Sequence, residues 1–224
     1  MGETIRLTSD DGHALGAYRA RPANAPKGGV VVIQEIFGVN GHIRAVCDRF
    51  AEAGYVAIAP ALFDRVEPGV ELNYTPDDTA RGREVRGQID MADVMRDVAT
   101  AADNVAEAGK VGIAGYCWGG LVVYVAACRL GDKLTCGSGY YGGNIKSYLN
   151  EAPVIPLMLH FGTLDAMIPM ADVALIRDAY PRIAIHVYEG ADHGFNCDPR
   201  AQYHAEAAAL AGERTLAFFA MHLG

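Results

Sequence analysis

Residues 113–120 read Ile113-Ala114-Gly115-Tyr116-Cys117-Trp118-Gly119-Gly120. The apolar run Val111 to Ala114 stops at Gly-x-Cys-x-Gly, and a helix-forming run from Leu121 to Leu130 follows. A strand that turns sharply into a helix in this way is a nucleophile elbow, here with cysteine where serine is usual. It holds its central side chain at a strained, exposed corner, and the flanking Gly115 and Gly119 leave room for close backbone packing. At the start of the following helix, unpaired N–H groups and the macrodipole favour negative charge, which suits a thiolate at Cys117. The Trp118 amide would point at a developing oxyanion, so nucleophile and stabiliser share one turn. A free cysteine is otherwise often a small buried hydrophobe; what surrounds this one decides between the two.

Outward from the elbow, short aliphatic runs alternate with helical patterns. Thr4 to Leu7 and Ala14 to Arg19 flank Asp11-Gly12 and predict a hairpin. Val30 to Gln34 is a strand, His42 to Ala53 an amphipathic helix stopped by Gly54, and Tyr55 to Ala59 a strand stopped by Pro60. A polar loop from Asp64 to Asp78 leads into one long helix from about Ala80 to Ala108. Past the elbow come strands at Thr135 to Tyr140, Leu157 to Phe161 and Ile183 to Tyr188, with helices at Ala171 to Ala179 and about Ala201 to His222. This alternation predicts a mostly parallel sheet with helices on both faces, as one domain over residues 1–224. Ligands of such sheets bind outside the carboxyl ends of the strands.

Composition narrows the partners. The net charge is −8 and no basic run occurs, so nucleic acid is excluded as the expected partner. No apolar segment is long enough to span a bilayer, and MGETIRLTSDDG lacks an apolar signal core. Cys47, Cys117, Cys128, Cys136 and Cys197 show neither a CxxC pair nor metal-ligand spacing. The expectation is a cytoplasmic protein with reduced thiols, no metal and no cofactor. Oligomeric state is not encoded in any of these features.

Three further strand ends carry chemistry. Gly162-Thr163-Leu164-Asp165 places a carboxylate after one strand, and Glu189-Gly190-Ala191-Asp192-His193-Gly194-Phe195 places an imidazole after the next. Nucleophile, acid, histidine is the chain order of α/β-hydrolases. His193 is the expected base for the thiol and Asp165 the acid that fixes its tautomer. Asp192 is the rival acid, disfavoured because immediate neighbours in a loop point apart. At the end of the first core strand, Gln34-Glu35-Ile36-Phe37-Gly38 places a carboxylate facing the elbow, and the Ile36 amide can act as a second oxyanion donor. His160 lies inside a strand and reads as a core histidine. The glycine-rich stretch at 137–143 lacks the ending of a phosphate loop and reads as a strand end with Tyr140 or Tyr141 near the pocket.

These residues resemble the dienelactone hydrolase (carboxymethylenebutenolidase) family. The matching segments are QEIFGVN (34–40), PALF (60–63), GYCWGG (115–120), GYYGG (139–143), TLD (163–165), ADHGF (191–195) and ERTLAFF (213–219). The resemblance implies an α/β-hydrolase fold and a Cys117–His193–Asp165 triad, with Glu35 contacting the resting thiol. It also implies the opening of a carboxylate-bearing enol-lactone to maleylacetate, without cofactor or metal. Two arginines hold the substrate carboxylate in that family; the corresponding positions here are Cys197 and the neighbourhood of Thr79. Arg81, Arg83 and Arg200 are therefore the candidates for an anionic substrate, Arg81 first because it lies nearest the family's position, with Phe37 and Tyr140 beside it. The missing arginines keep open an esterase or thioesterase for substrates without a carboxylate. A non-catalytic binding protein on the same scaffold is the reading from another class.

Overall fold

Three runs of β-branched and small apolar residues fold as strands with every residue buried: β3 (Gly29–Ile33), β4 (Val56–Pro60) and β5 (Val111–Tyr116). Such runs form the middle of a parallel sheet, covered on both faces. The computed structural model describes residues 2–224. Its sheet has eight strands, adding β1 (Glu3–Thr8), β2 (Ala14–Ala20), β6 (Cys136–Tyr140), β7 (Leu157–Gly162) and β8 (Ala184–Tyr188), in the order β1-β2-β4-β3-β5-β6-β7-β8. The β1–β2 hairpin, turning at Gly12 in the left-handed region, attaches antiparallel to β4; all other pairs are parallel.

Register matters most for function. Ile33 pairs with Gly115, Tyr116 with Tyr140, Tyr140 with His160, and Gly162 with Tyr188. The carboxyl ends of β3, β5, β6, β7 and β8 therefore finish side by side, and the loops that follow them meet along one edge of the sheet.

The helices are α1 (Gly41–Glu52), α2 (Pro76–Arg86), α3 (Met91–Val105), α4 (Trp118–Arg129), α5 (Met170–Ala179) and α6 (Ala205–Leu223). From β3 to β4 the chain moves one way along the sheet and from β4 to β5 the other, so right-handed crossovers put α1 and α3 on opposite faces. α4 packs beside α3, while Phe50 of α1 meets Phe219 of α6 at 5.7 Å between ring centres. Among the described residues no helix is long and apolar enough to cross a membrane.

The expected α/β architecture is present, with four local corrections. The single helix expected from Ala80 to Ala108 is two, broken where Gly87 caps α2 and the Asp90 side chain accepts from the Ala92 amide to start α3. α2 itself begins inside the expected loop. Thr75 and Asp78 form a capping box around Pro76 at the first turn. Only Gly82 and Val85 of this helix are buried, so it carries no apolar stripe for a periodicity argument to find. Gly82 is required by contact: a Cβ there would come 1.9 Å from the Ile36 carbonyl oxygen. The elbow helix starts at Trp118 rather than Leu121, and α6 at Ala205 rather than Ala201.

Candidate active site

The turn between β5 and α4 forms because glycines let three backbones meet. A Cβ on Gly119 would lie 2.5 Å from the Ile33 carbonyl oxygen, and one on Gly115 would lie 2.2 Å from that of Gly119. The helix start is thereby drawn onto the end of β3. Cys117 sits at the corner with φ 55°, ψ −116°, a conformation L-residues rarely adopt. Its amide donates to the Tyr140 carbonyl at 3.0 Å, which fixes the corner to β6.

Cys117 Sγ, partly buried, lies 3.1 Å from His193 Nε2, and His193 Nδ1 lies 2.8 Å from Asp165 Oδ2. The other Asp165 oxygen accepts from the amides of Met167 and Ile168 at 2.9 and 3.2 Å, so the acid is held by its own turn. Asp192, the rival, accepts from the His193 amide at 2.6 Å and does not reach the imidazole. Burial alone would push the His193 pKa down. The Cys117 sulfur and the Asp165 carboxylate against its two nitrogens outweigh that, raising it to about 10. The amides of Trp118 and Ile36 find no acceptor among the described residues, which leaves both free to donate to an oxyanion.

Glu35 is 1% exposed, and its partner is not the thiol that the resemblance implied. Its Oε1 lies 3.4 Å from Arg200 Nη1, while Oε2 is buried without a hydrogen-bond partner. The reason is proximity of a cation. Arg200 lies 5.8 Å from the Phe37 ring centre and 6.0 Å from that of Tyr74, wedged against Gly194. Burial works against its charge, and Glu35, together with the nearby Tyr141, Cys117 and Cys197, outweighs this and raises the Arg200 pKa.

The remaining candidates divide. Arg81 is turned outward on α2 and neutralised by Glu67 and Glu84, both exposed, and Arg83 is exposed without an ion pair. Arg200 is the candidate arginine that the fold brings to Glu35. Phe37 is buried beside it, edge-on to Tyr74 at 4.7 Å. Tyr140 points away from Cys117, His193 and Asp165. Its hydroxyl meets the Ala211 carbonyl at 3.0 Å and Thr215 Oγ1 at 2.6 Å on α6, and its ring stacks on the buried core residue His160. Tyr141 is the tyrosine at the site, at 5.2 Å from the His193 ring, with its hydroxyl buried and unpaired.

The Dienelactone hydrolase family model matches residues 15–223. The chain belongs to the dienelactone hydrolase family. A carboxymethylenebutenolidase from Pseudomonas putida is 35% identical over 98% of this chain and 97% of its own length. A Synechocystis protein provisionally named carboxymethylenebutenolidase is 40% identical over 87% of this chain and 86% of its own. A crystal structure from Klebsiella pneumoniae, provisionally named a dienelactone hydrolase, superposes with a TM-score of 0.87 at 33% identity, covering 99% of this chain and 100% of that one. The fold is therefore the expected α/β-hydrolase, and the protein is a carboxylic ester hydrolase acting on a small-molecule ester or lactone.

Within this member of the dienelactone hydrolase family, several contacts around the site escaped the sequence reading. Arg86 lies 5.9 Å from the Trp118 ring centre, and the Trp118 indole packs on Phe63. His42 Nδ1 lies 2.9 Å from Asp198, tying α1 to the loop that carries His193 and Arg200. Cys197 is buried among Tyr74, Glu35 and Arg200, and burial pushes its thiol up, so it stays protonated. None of these contacts has a spacing signal. Each is defined by a contact between distant parts of the chain.

Proposed function

We propose that this chain is a cysteine-dependent hydrolase that opens carboxylate-bearing enol-lactones such as dienelactone, giving maleylacetate. The observation that carries this reading is the contact series Cys117 Sγ to His193 Nε2 at 3.1 Å and His193 Nδ1 to Asp165 at 2.8 Å, beside two free amides. Nε2 takes the thiol proton as Sγ attacks the lactone carbonyl carbon, and the carbonyl electron pair moves to an oxygen held by the Trp118 and Ile36 amides. Collapse breaks the ring C–O bond. The leaving enol oxygen takes the proton back from His193 and the enol tautomerises to a ketone, leaving a thioester on Cys117. Water, giving a proton to His193, then attacks the thioester carbon; the C–S bond breaks as His193 returns that proton to the Cys117 sulfur, and the product acid leaves as its carboxylate after losing a proton to solvent. Two unpaired polar atoms, Glu35 Oε2 and the Tyr141 hydroxyl, are available to the bound substrate.

Arg200 is the anion handle in this mechanism, since a substrate carboxylate competes with Glu35 for the same guanidinium. Losing a charge-assisted contact costs roughly 1.5–3 kcal/mol, or about ten- to a hundred-fold in kcat/KM. Arg200→Ala is therefore expected to lower kcat/KM for a carboxylate-bearing enol-lactone by that factor relative to p-nitrophenyl acetate. Equal losses on both substrates would mean general damage to the site and would remove Arg200 from substrate recognition. Glu35→Gln deletes the competing charge and leaves the shape. It is expected to lower the KM for the anionic lactone and to speed alkylation of Cys117 by iodoacetamide several-fold, because the freed guanidinium favours the thiolate. If KM and alkylation rate both stay at wild-type values, Glu35 is a bystander.

A second reading, an esterase or thioesterase for substrates without a carboxylate, is favoured by one observation: Glu35 already balances Arg200, and Glu67 with Glu84 balances Arg81. A substrate panel decides. Neutral esters turned over faster than enol-lactones by the wild type would select this reading.

A further inference from the structure

On the face of the sheet covered by α1 and α6 lies a cavity of about 390 Å³ that none of Cys117, His193, Asp165, Glu35 or Arg200 lines. Its size falls in the range of small-molecule sites, roughly 300–1,000 Å³. Its walls are aromatic: Phe50 from α1, Tyr116 and Tyr140 from the ends of β5 and β6, and Tyr203 from the loop before α6. Arg49 also lines it and takes part in none of the ion pairs among the described residues. The Tyr140 hydroxyl is engaged by α6, whereas that of Tyr116 has no hydrogen-bond partner.

Arg49 is the one cation in the lining, and it stands exposed at the mouth of the cavity. Burial pushes the Tyr116 and Tyr140 phenols up, and at both the Arg49 cation opposes that shift. Two carboxylates also border the cavity. Asp198 is engaged with His42 at 2.9 Å, and Glu213 stands exposed at the rim. An aromatic lining with one guanidinium outside any ion pair, and with the unpaired hydroxyls of Tyr116 inside and Tyr203 at the exposed rim, matches a flat ring carrying a single carboxylate.

We propose that this cavity is a second binding site, separate from the triad, for a small aromatic carboxylate whose carboxylate meets Arg49 and the Tyr116 hydroxyl. The ring lies between Phe50, Tyr140 and Tyr203. Two of its walls adjoin the active site along the chain. Tyr116 immediately precedes Cys117, and Asn196 and Asp198 lie in the segment between His193 and Arg200.

The test uses benzoate, with benzamide as its neutral counterpart, titrated calorimetrically into the wild-type chain. Benzoate is expected to bind saturably and benzamide about ten-fold more weakly or worse, as one charge-assisted contact implies. Arg49→Gln is expected to remove that preference. Gly212→Phe is expected to abolish binding by filling the cavity, since Gly212 lines it and a Cβ there meets nothing within 4 Å. Replacing a helical glycine in open space favours the helix, so this variant should fold; circular dichroism checks it, and Arg49→Gln alone serves if it does not. Absence of saturable binding to the wild type overturns the proposal, and so does binding that survives both substitutions, which would locate benzoate elsewhere.

Discussion

Cys117→Ala is expected to lower turnover of enol-lactones and of p-nitrophenyl acetate alike by several orders of magnitude. Members of a nucleophile–base–acid triad act as a unit, and removing the nucleophile of one costs on the order of 10⁴–10⁶ in kcat. The fold should not share that loss. Cys117 is only partly buried, its thiol makes one hydrogen bond, and the corner is held by backbone contacts to Tyr140 and Gly120 that alanine keeps. The left-handed corner conformation is no worse for alanine than for cysteine. The measurement is steady-state kinetics on both substrates, with intact-mass detection of the acetyl adduct on the wild type at early times. No adduct should form on the variant, and its thermal midpoint should stay close to that of the wild type. An alanine variant within ten-fold of wild-type rate would end the thiol mechanism. An adduct at Cys128, Cys136, Cys47 or Cys197 instead would reassign the nucleophile, although burial pushes the pKa of each of these four thiols up.

The central part of this fold was legible because it is written locally. Fully buried parallel strands need unbroken apolar runs, and the elbow needs glycines at fixed offsets from Cys117, so both leave marks within eight residues. The placement of Asp165 and His193 after consecutive strands was legible for the same reason. Parallel strands finish at one edge, so order along the chain becomes adjacency in space. What failed was written non-locally. Glu35 and Arg200 are 165 residues apart, and nothing in the spacing of Arg81, Arg83 and Arg200 distinguishes the arginine that reaches the carboxylate. α2 was half hidden because a helix that buries only a glycine and a valine has no periodic stripe. The choice between Tyr140 and Tyr141 failed by one residue. The β6 ladder ends at Tyr140, and the turn at Tyr141, with φ 37°, sends the second ring toward His193.

Asp165→Asn is expected to cost about three to four orders of magnitude in kcat, with little loss of stability. The argument rests on which hydrogen bonds the amide can keep. The Met167 and Ile168 amides both donate to Asp165 Oδ1, and the asparagine carbonyl oxygen can take the same two donors. That leaves its NH₂ facing His193 Nδ1, where the carboxylate oxygen stood at 2.8 Å. An NH₂ can only donate there, so Nδ1 must become the acceptor and the imidazole proton moves to Nε2. A protonated Nε2 cannot take the proton from Cys117. The imidazole also loses a carboxylate that helps to raise the His193 pKa, so it becomes a weaker base toward the Cys117 proton, and iodoacetamide alkylation at neutral pH should slow in the same variant. Asp192→Asn supplies the contrast. Its Oδ1 accepts only from the His193 amide, a bond that asparagine preserves, and its effect on kcat should stay within a few-fold. If Asp192→Asn proved the more damaging of the two, the acid of the triad would have to be reassigned.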